Sequence, residues 1–274
     1  FVYGMRTPNW VGIPYTDIGI FIPSLRFPRF KDPQVGDVLI FNYPRDKYVK
    51  YVKRCIAGPG DTLLIQNKQV YLNGELTKLP ENYVFSQPEV PKTMKQKAIY
   101  LSSELNINKD NMGPIIIPKK GDYFKIDRNT NWRELLPIMM MEGNKAELRG
   151  SEKSFIFTLQ DPFELDRRKN HPSVFEPYFG YGNGNLITPW SRQILDNHFQ
   201  YLVINGKPIT NWEGYEVKQN YYWAMGDNRD DSLDSRYWGL IPENFVLGEA
   251  LFAYFSLDLR SYIPRFDRIG KIIN

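Results

Sequence analysis

Two stretches of the chain hold residue types from which acid–base chemistry is built. In the first, Tyr51-Val-Lys-Arg-Cys-Ile-Ala-Gly-Pro-Gly-Asp61, a β-prone run carries Lys53. Side chains alternate faces along a strand, so Tyr51, Lys53 and Cys55 point one way and Val52, Arg54 and Ile56 the other. A lysine in a strand ordinarily lies exposed on an edge. If its face is covered, desolvation disfavours the ammonium, lowers the pKa and leaves a neutral amine that can accept a proton, a general base in place of histidine.

The second stretch is Met225–Gly239, MGDNRDDSLDSRYWG, with four aspartates, two arginines and two serines between aromatic flanks. Its Gly, Asp, Asn and Ser content is that of a surface turn. The alternation of sign points further: Asp227 with Arg229, and Asp234 with Arg236, would allow ion pairs that hold the loop in one shape. A lone cysteine beside Lys53 and Arg54 raises the prospect of a thiol nucleophile, but a small buried strand residue is the stronger reading of Cys55. His171 and His198 have no assigned role, and no Gly-x-Ser-x-Gly motif marks a Ser/His/Asp triad.

The elements that must position these stretches read mainly as β. Gly36–Tyr43, Tyr48–Ile56 and the pair Thr62–Ile65 with Gln69–Leu72 have strand character. Asn73-Gly74 and Asn205-Gly206 are hairpin signals, since both central positions of a type I′ turn need positive φ. Tyr221–Met225 leads into the charged loop, and Val246–Ser256 leads out of it. Ile115–Gly121 suggests a strand ending in a turn. Trp132–Glu142 is the best helix candidate, with Asn129 or Thr130 as cap, Gly143 as stop and Pro137 as an interior breaker. Residues 144–200 are punctuated by Pro and Gly without sustained periodicity.

A chain of 274 residues, with 15% aromatic and 24% charged residues, is long enough for a full core and unlike a disordered segment. Lys plus Arg exceed Asp plus Glu by only 35 to 31 with no long basic block, so nucleic acid is not expected as a partner. One cysteine and two histidines exclude an internal disulfide framework and an ordinary Cys/His zinc site, and no metal or cofactor is expected. No run approaches the roughly 18 to 20 apolar residues that span a bilayer. The chain opens at Phe1 and not at a methionine, so Phe1 is taken as a cut end with a targeting or anchoring segment expected upstream.

Together, in this order, YVKRCIAGPGD and GDNRDDSLDSRYWG resemble the lysine box and the late Gly-Asp-Asn-Arg box of bacterial type I signal peptidases, most of all those of Bacteroidetes type. Weaker resemblance covers Tyr3-Gly4, Gly36–Pro44, the hairpin at Asn73 and the segment from Val246 onward. The resemblance implies a mainly β fold. A signal-peptidase-like antiparallel β catalytic core would be formed by 1–75 with 218–258, a large inserted β-rich cap subdomain with little helix by 76–217, and a basic tail by 259–274. Lys53 would be the general base of a Ser/Lys dyad and Ser232 would orient its amine. Asp234 and Arg236, with Asp227 and Arg54 as a second pair, would form the supporting network. Tyr51 and Val52 would lie along the groove where a signal peptide adds as an extended strand and is cut after a small-x-small (Ala-x-Ala) motif. The implied partners are the signal peptides of exported preproteins and the lipid surface of the cytoplasmic (inner) membrane, with the catalytic domain on its outer, periplasmic side.

The departure from the family lies at the nucleophile. Its Ser-Met-x-Pro-Thr box belongs upstream of Tyr3-Gly4 and is not among these residues; Ser24, in Pro23-Ser-Leu-Arg-Phe-Pro28, has the wrong spacing and lies on the wrong side. The chain as given is therefore expected to cleave nothing. The alternatives are a non-catalytic, signal-peptide-binding paralogue, against which the retention of Lys53 and Ser232 argues, and a self-cleaving repressor, against which the lack of a helix-turn-helix segment argues.

Overall fold

The computed structural model describes residues 10–12, 19–21, 31–78, 80, 83–96, 100, 107–150, 154–159, 186–190, 199–250, 252–253, 257–258, 263–264 and 271–272. Tyr3-Gly4, Ser24, His171 and His198 lie outside them. In chain order the elements used below are β1 (Val38–Tyr43), β2 (Asp46–Ala57), β3 (Thr62–Gln66), β4 (Gln69–Leu72), β5 (Met112–Ile116), α1 (Trp132–Met141), β6 (Ala146–Arg149), β7 (Leu202–Ile204), β8 (Tyr221–Met225), α2 (Ser235–Trp238) and β9 (Val246–Glu249). The described residues are mainly β, as expected, and their strands pair antiparallel save for Ser154–Phe157 with Leu186–Ile187.

The sheet that carries both chemical stretches runs Ile241–Pro242, β8, β2, β1, β9. Leu39 and Phe41 alternate inward along β1, which pairs with β2 in the register Leu39↔Lys53 and Phe41↔Tyr51. On the other side β8 pairs with β2 through Ala224↔Cys55 and Met225↔Arg54, after an irregularity between Trp223 and Ala224. Lys53 thus sits in a central strand, and the chain leaves β8 at Gly226 beside it. Strand β8 is buried at all five positions because it separates two cores. Tyr221, Trp223 and Met225 enter one with Leu63, Ile117, Leu136 and Leu202, whereas Tyr222 and Ala224 enter another with Leu39, Phe41, Cys55 and Trp238. This explains the unbroken apolar run in the sequence, since a strand covered on both faces does not alternate.

A second sheet runs Glu75–Leu76, β4, β3, β5. Both turns within it take positive φ, Asn67-Lys68 at 52° and 66° and Asn73-Gly74 at 53° and 88°. Asn205-Gly206 likewise turns β7 back onto Lys207–Pro208. That hairpin belongs to a third sheet with β6, Ser154–Phe157 and Leu186–Ile187.

Three local expectations are corrected. Helix α1 forms, but Asn131 caps it by accepting from Arg133 N at 3.2 Å; Thr130 Oγ1 accepts instead from Asp127 N, and Asn129, whose N–H donates to Asp127 Oδ1, lies further out in the same turn. Val246–Ser256 is not one strand: β9 ends at Glu249, where Ala250 N bonds Val38 O, and Phe252–Ala253 pairs separately with Lys271–Ile272. The first strand extends over Val38–Tyr43 and not from Gly36, because Gly36 takes φ 99° in the preceding turn.

Candidate active site

The alternation of β2 brings Tyr51, Lys53 and Cys55 to one face. Tyr51 stacks on Trp238 with ring centroids 5.1 Å apart and meets Tyr43 edge-on at 5.0 Å. Lys53 Nζ lies 5.6 Å from the Tyr51 ring centroid, and Cys55 is fully buried. On the opposite face Val52 is 52% exposed. The aromatic cluster therefore walls one side of the lysine and leaves its tip toward the charged loop.

There the Lys53 ammonium donates to Ser232 Oγ at 2.8 Å. Partial burial removes water from the amine, and this desolvation holds the Lys53 pKa below its ordinary value. Asp234 pulls the other way, Arg236 adds to the lowering and Asp231 opposes it. Burial pushes the Cys55 thiol strongly up, which leaves it a protonated core residue and no nucleophile.

Two forked ion pairs hold the loop. Arg236 donates to both carboxylate oxygens of Asp234, at 2.9 and 2.8 Å, and to the Arg229 carbonyl. Asp234 also accepts from Gly226 N at 3.2 Å and caps α2 through Arg236 N, while Ser235 Oγ accepts from Ala224 N. Arg54 grips Asp227 through Nε at 2.9 Å and Nη2 at 2.8 Å and reaches the Gly36 carbonyl. Asp227 thus pairs across the sheet with Arg54; the pairing within the loop to Arg229 does not form. Arg229 instead lies 4.2 Å from the Tyr83 ring centroid, where burial lowers its pKa to about 10 and that of Tyr83 is pushed up to about 12.

Sequence reasoning missed three features. A Cβ on Gly226 would overlap the Oγ and Cβ of Ser232 and lie 3.5 Å from Lys53 Nζ, so glycine leaves the space in which the two meet. Residues 83–96 flank the loop, with Val84 N donating to Asp227 O and Arg229 N to Val84 O. Asp230 is also bound by two lysines remote in sequence, Lys68 and Lys109. The glycine was readable as part of its motif, but only the fold shows what it makes room for. Nothing in the local sequence could have paired Asp230 with lysines 162 and 121 positions away. Among the described residues no group of three or more His, Cys, Asp or Glu side chains could hold a metal ion.

A half-buried amine held on a serine hydroxyl by a charge-pinned loop, within a mainly antiparallel β scaffold, is an arrangement suited to acid–base chemistry. The profile of the family described as signal peptidase, peptidase S26, matches residues 12–131 and 173–255. The chain belongs to this family, which comprises serine endopeptidases that remove signal peptides from exported preproteins. The matched segments include Lys53 and the whole loop, and they omit α1.

Signal peptidase I of Buchnera aphidicola subsp. Baizongia pistaciae is 26% identical over 99% of this chain and 68% of that protein. Signal peptidase I of Pseudomonas aeruginosa is 23% identical over 99% of this chain and 63% of its own length. The chain thus spans about two thirds of the length of these relatives. A crystal structure of a signal peptidase I from Enterococcus faecalis V583 matches at 15% identity and a TM-score of 0.28, covering 80% of this chain and 97% of that one. No helix among the described residues is long and apolar enough to cross a membrane.

Proposed function

We propose that Lys53 is the general base of a Ser/Lys dyad that cuts exported preproteins after a small-x-small motif, with Ser232 orienting its amine. The observation that carries this reading is the 2.8 Å contact between Lys53 Nζ and Ser232 Oγ. As a neutral amine Lys53 takes the proton of a serine hydroxyl as that oxygen attacks the scissile carbonyl. The same proton then passes to the leaving amine, and in the second half water, deprotonated in turn, frees the acyl-enzyme. Asp234 with Arg236 and Asp227 with Arg54 hold the loop that aims Ser232. The peptide adds as an extended strand along Tyr51 and Val52.

In this assignment the core comprises 1–75 with 218–258, and 76–217 is an inserted cap, with β5 the seam at which the cap joins the core through β3. The residues after 258 form the tail. The catalytic face works at the lipid surface of the cytoplasmic membrane, on its outer side. The 274 residues contain no Ser-Met-x-Pro-Thr box, and this chain by itself leaves a preprotein intact.

The test is preprotein cleavage by the natural enzyme and by its Lys53→Ala variant. The reading expects the variant to lose roughly 100- to 10,000-fold in kcat/KM; unchanged turnover would overturn it. Tight signal-peptide binding by the natural protein with no cleavage of any ligand would favour a binding-only paralogue instead.

A further inference from the structure

The Arg54–Asp227 and Arg236–Asp234 pairs hold the two ends of the charged loop, and Arg236 also holds the Arg229 carbonyl; neither pair binds a side chain of residues 230–232, where Ser232 sits. Asp230, two positions before that serine, has a carboxylate with 0% exposure. It accepts from Lys109 Nζ at 2.7 Å, from Lys68 Nζ at 3.0 Å, and from the backbone N–H groups of Ser86 and Gln87, each at 2.9 Å. Two ammonium groups and two amides thus satisfy one buried carboxylate, an arrangement that favours its charged form and holds its pKa well below the ordinary range against the cost of burial.

The partners are themselves fixed. Lys109 also donates to Gln87 Oε1 at 2.8 Å, and Lys68, in the turn between β3 and β4, to the Gln87 carbonyl. Asn108 Nδ2 bonds the carbonyls of Pro91 and Met94, and Asp110 accepts from Val90 N. Residues 83–96 and 107–111 therefore form a knitted strap, and Asp230 is where the middle of the loop locks onto it.

We infer that Asp230 is a positioning residue for the Lys53–Ser232 contact, acting by clamping the loop onto this strap. The inference rests on the dyad reading above. If the clamp opens, Ser232 withdraws, water reaches the amine, and the Lys53 ammonium regains its solvation.

The test is the titration of Lys53 by lysine ε-carbon NMR in the 274-residue chain, assigned with Lys53→Arg, for the parent, Asp230→Asn and Asp230→Glu. Asparagine removes a negative charge, leaving Lys109 without its carboxylate and Lys68 with Asp110 alone at 4.0 Å, so coulombic effects alone would lower the Lys53 pKa; release of the clamp raises it. Glutamate keeps the charge and displaces it by one methylene.

The expected result is an upward shift of about one unit in both variants, each still folded by circular dichroism. A drop in Tm with the Lys53 midpoint unmoved or lowered would mean that Asp230 is merely structural and would overturn the inference while leaving the dyad reading intact. Should Asp230→Asn fail to fold, Asp230→Glu decides between the same outcomes. A parent Lys53 that titrates at its ordinary value would overturn the dyad reading, and this inference with it.

Discussion

Lys53 Nζ and Ser232 Oγ lie 2.8 Å apart although 179 positions of sequence separate them. Strand β2 supplies the first and the turn between β8 and α2 the second. Their meeting depends on the pairing of β8 with β2 and on the charges that shape the turn.

On the proposed dyad, the pH dependence of activity follows from the amine. Desolvation lowers the Lys53 pKa, so the neutral, proton-accepting form grows as pH rises through a value below that of free lysine. We expect kcat/KM of the natural enzyme to climb along that limb, and Lys53→Ala to lose roughly 100- to 10,000-fold. A rising limb at the same pH in the alanine variant would assign the ionisation to another group. The linked effect on folding has a definite sign: the unfolded chain binds this proton more readily, so Lys53 costs stability below its lowered pKa, and the cost fades as pH rises toward the unfolded value. Lys53→Met is expected to melt no lower than the parent at neutral pH.

Gly226→Ala tests the space beside Ser232. Gly226 is not among the glycines with positive φ, so an alanine is compatible with the backbone while its Cβ displaces Ser232. Displacement of an orienting hydroxyl by about 1 Å can cost on the order of 100-fold in rate. The natural enzyme carrying Gly226→Ala is expected to show that loss with a preserved circular dichroism spectrum, and near-parent activity would refute it.

The two ion pairs are expected to differ in energy. Asp234 and Arg236 are 0% and 2% exposed at their side chains, whereas Asp227 is 29% exposed. Asp234→Ala strands a buried guanidinium and is expected to cost about 3 to 5 kcal/mol. Asp227→Ala strands Arg54, 6% exposed, but admits water through the partly exposed position that Asp227 held and leaves it the Gly36 carbonyl, so the cost should be visibly smaller. Urea unfolding of both variants measures the difference, and equal costs would refute the assignment of burial as its cause.

Glu142, at the end of α1, accepts from the hydroxyls of Tyr215 and Tyr221 and from Lys218 N at 3.0 Å. It ties the helix to β8, the strand that delivers Gly226. Burial and this carboxylate push both phenols upward. Glu142→Ala takes the acceptor from the buried Tyr215 hydroxyl and leaves Tyr221 the Ile138 carbonyl at 3.3 Å, and about 2 kcal/mol of stability should be lost. Glu142→Gln, which keeps one acceptor oxygen, should lose less; thermal melts of the two variants compare them.

Much of the fold was legible because its signals are local. Asn73-Gly74 and Asn205-Gly206 announce turns through the positive φ that their residue types tolerate, and both form. The alternation in β2 places Tyr51, Lys53 and Cys55 on one face from the sequence alone. The helix cap was misplaced by one or two residues because Asp127, Asn129, Thr130 and Asn131 are all competent caps, and only the closing of the Asp127–Thr130 turn selects Asn131.

By itself, then, the sequence determined the β character, the turn positions and, through two motifs, which lysine and which serine belong together. Tertiary structure alone decided the partners of the charges. Asp227 chose Arg54 over Arg229 because strand pairing sets Met225 opposite Arg54 and brings the next turn within reach of its fork. Asp230 met Lys68 and Lys109 because a strap remote in sequence folds over the loop. Hydrogen bonds and ion pairs act over a few ångströms of space, and separation along the chain carries no record of that distance until the sheets close.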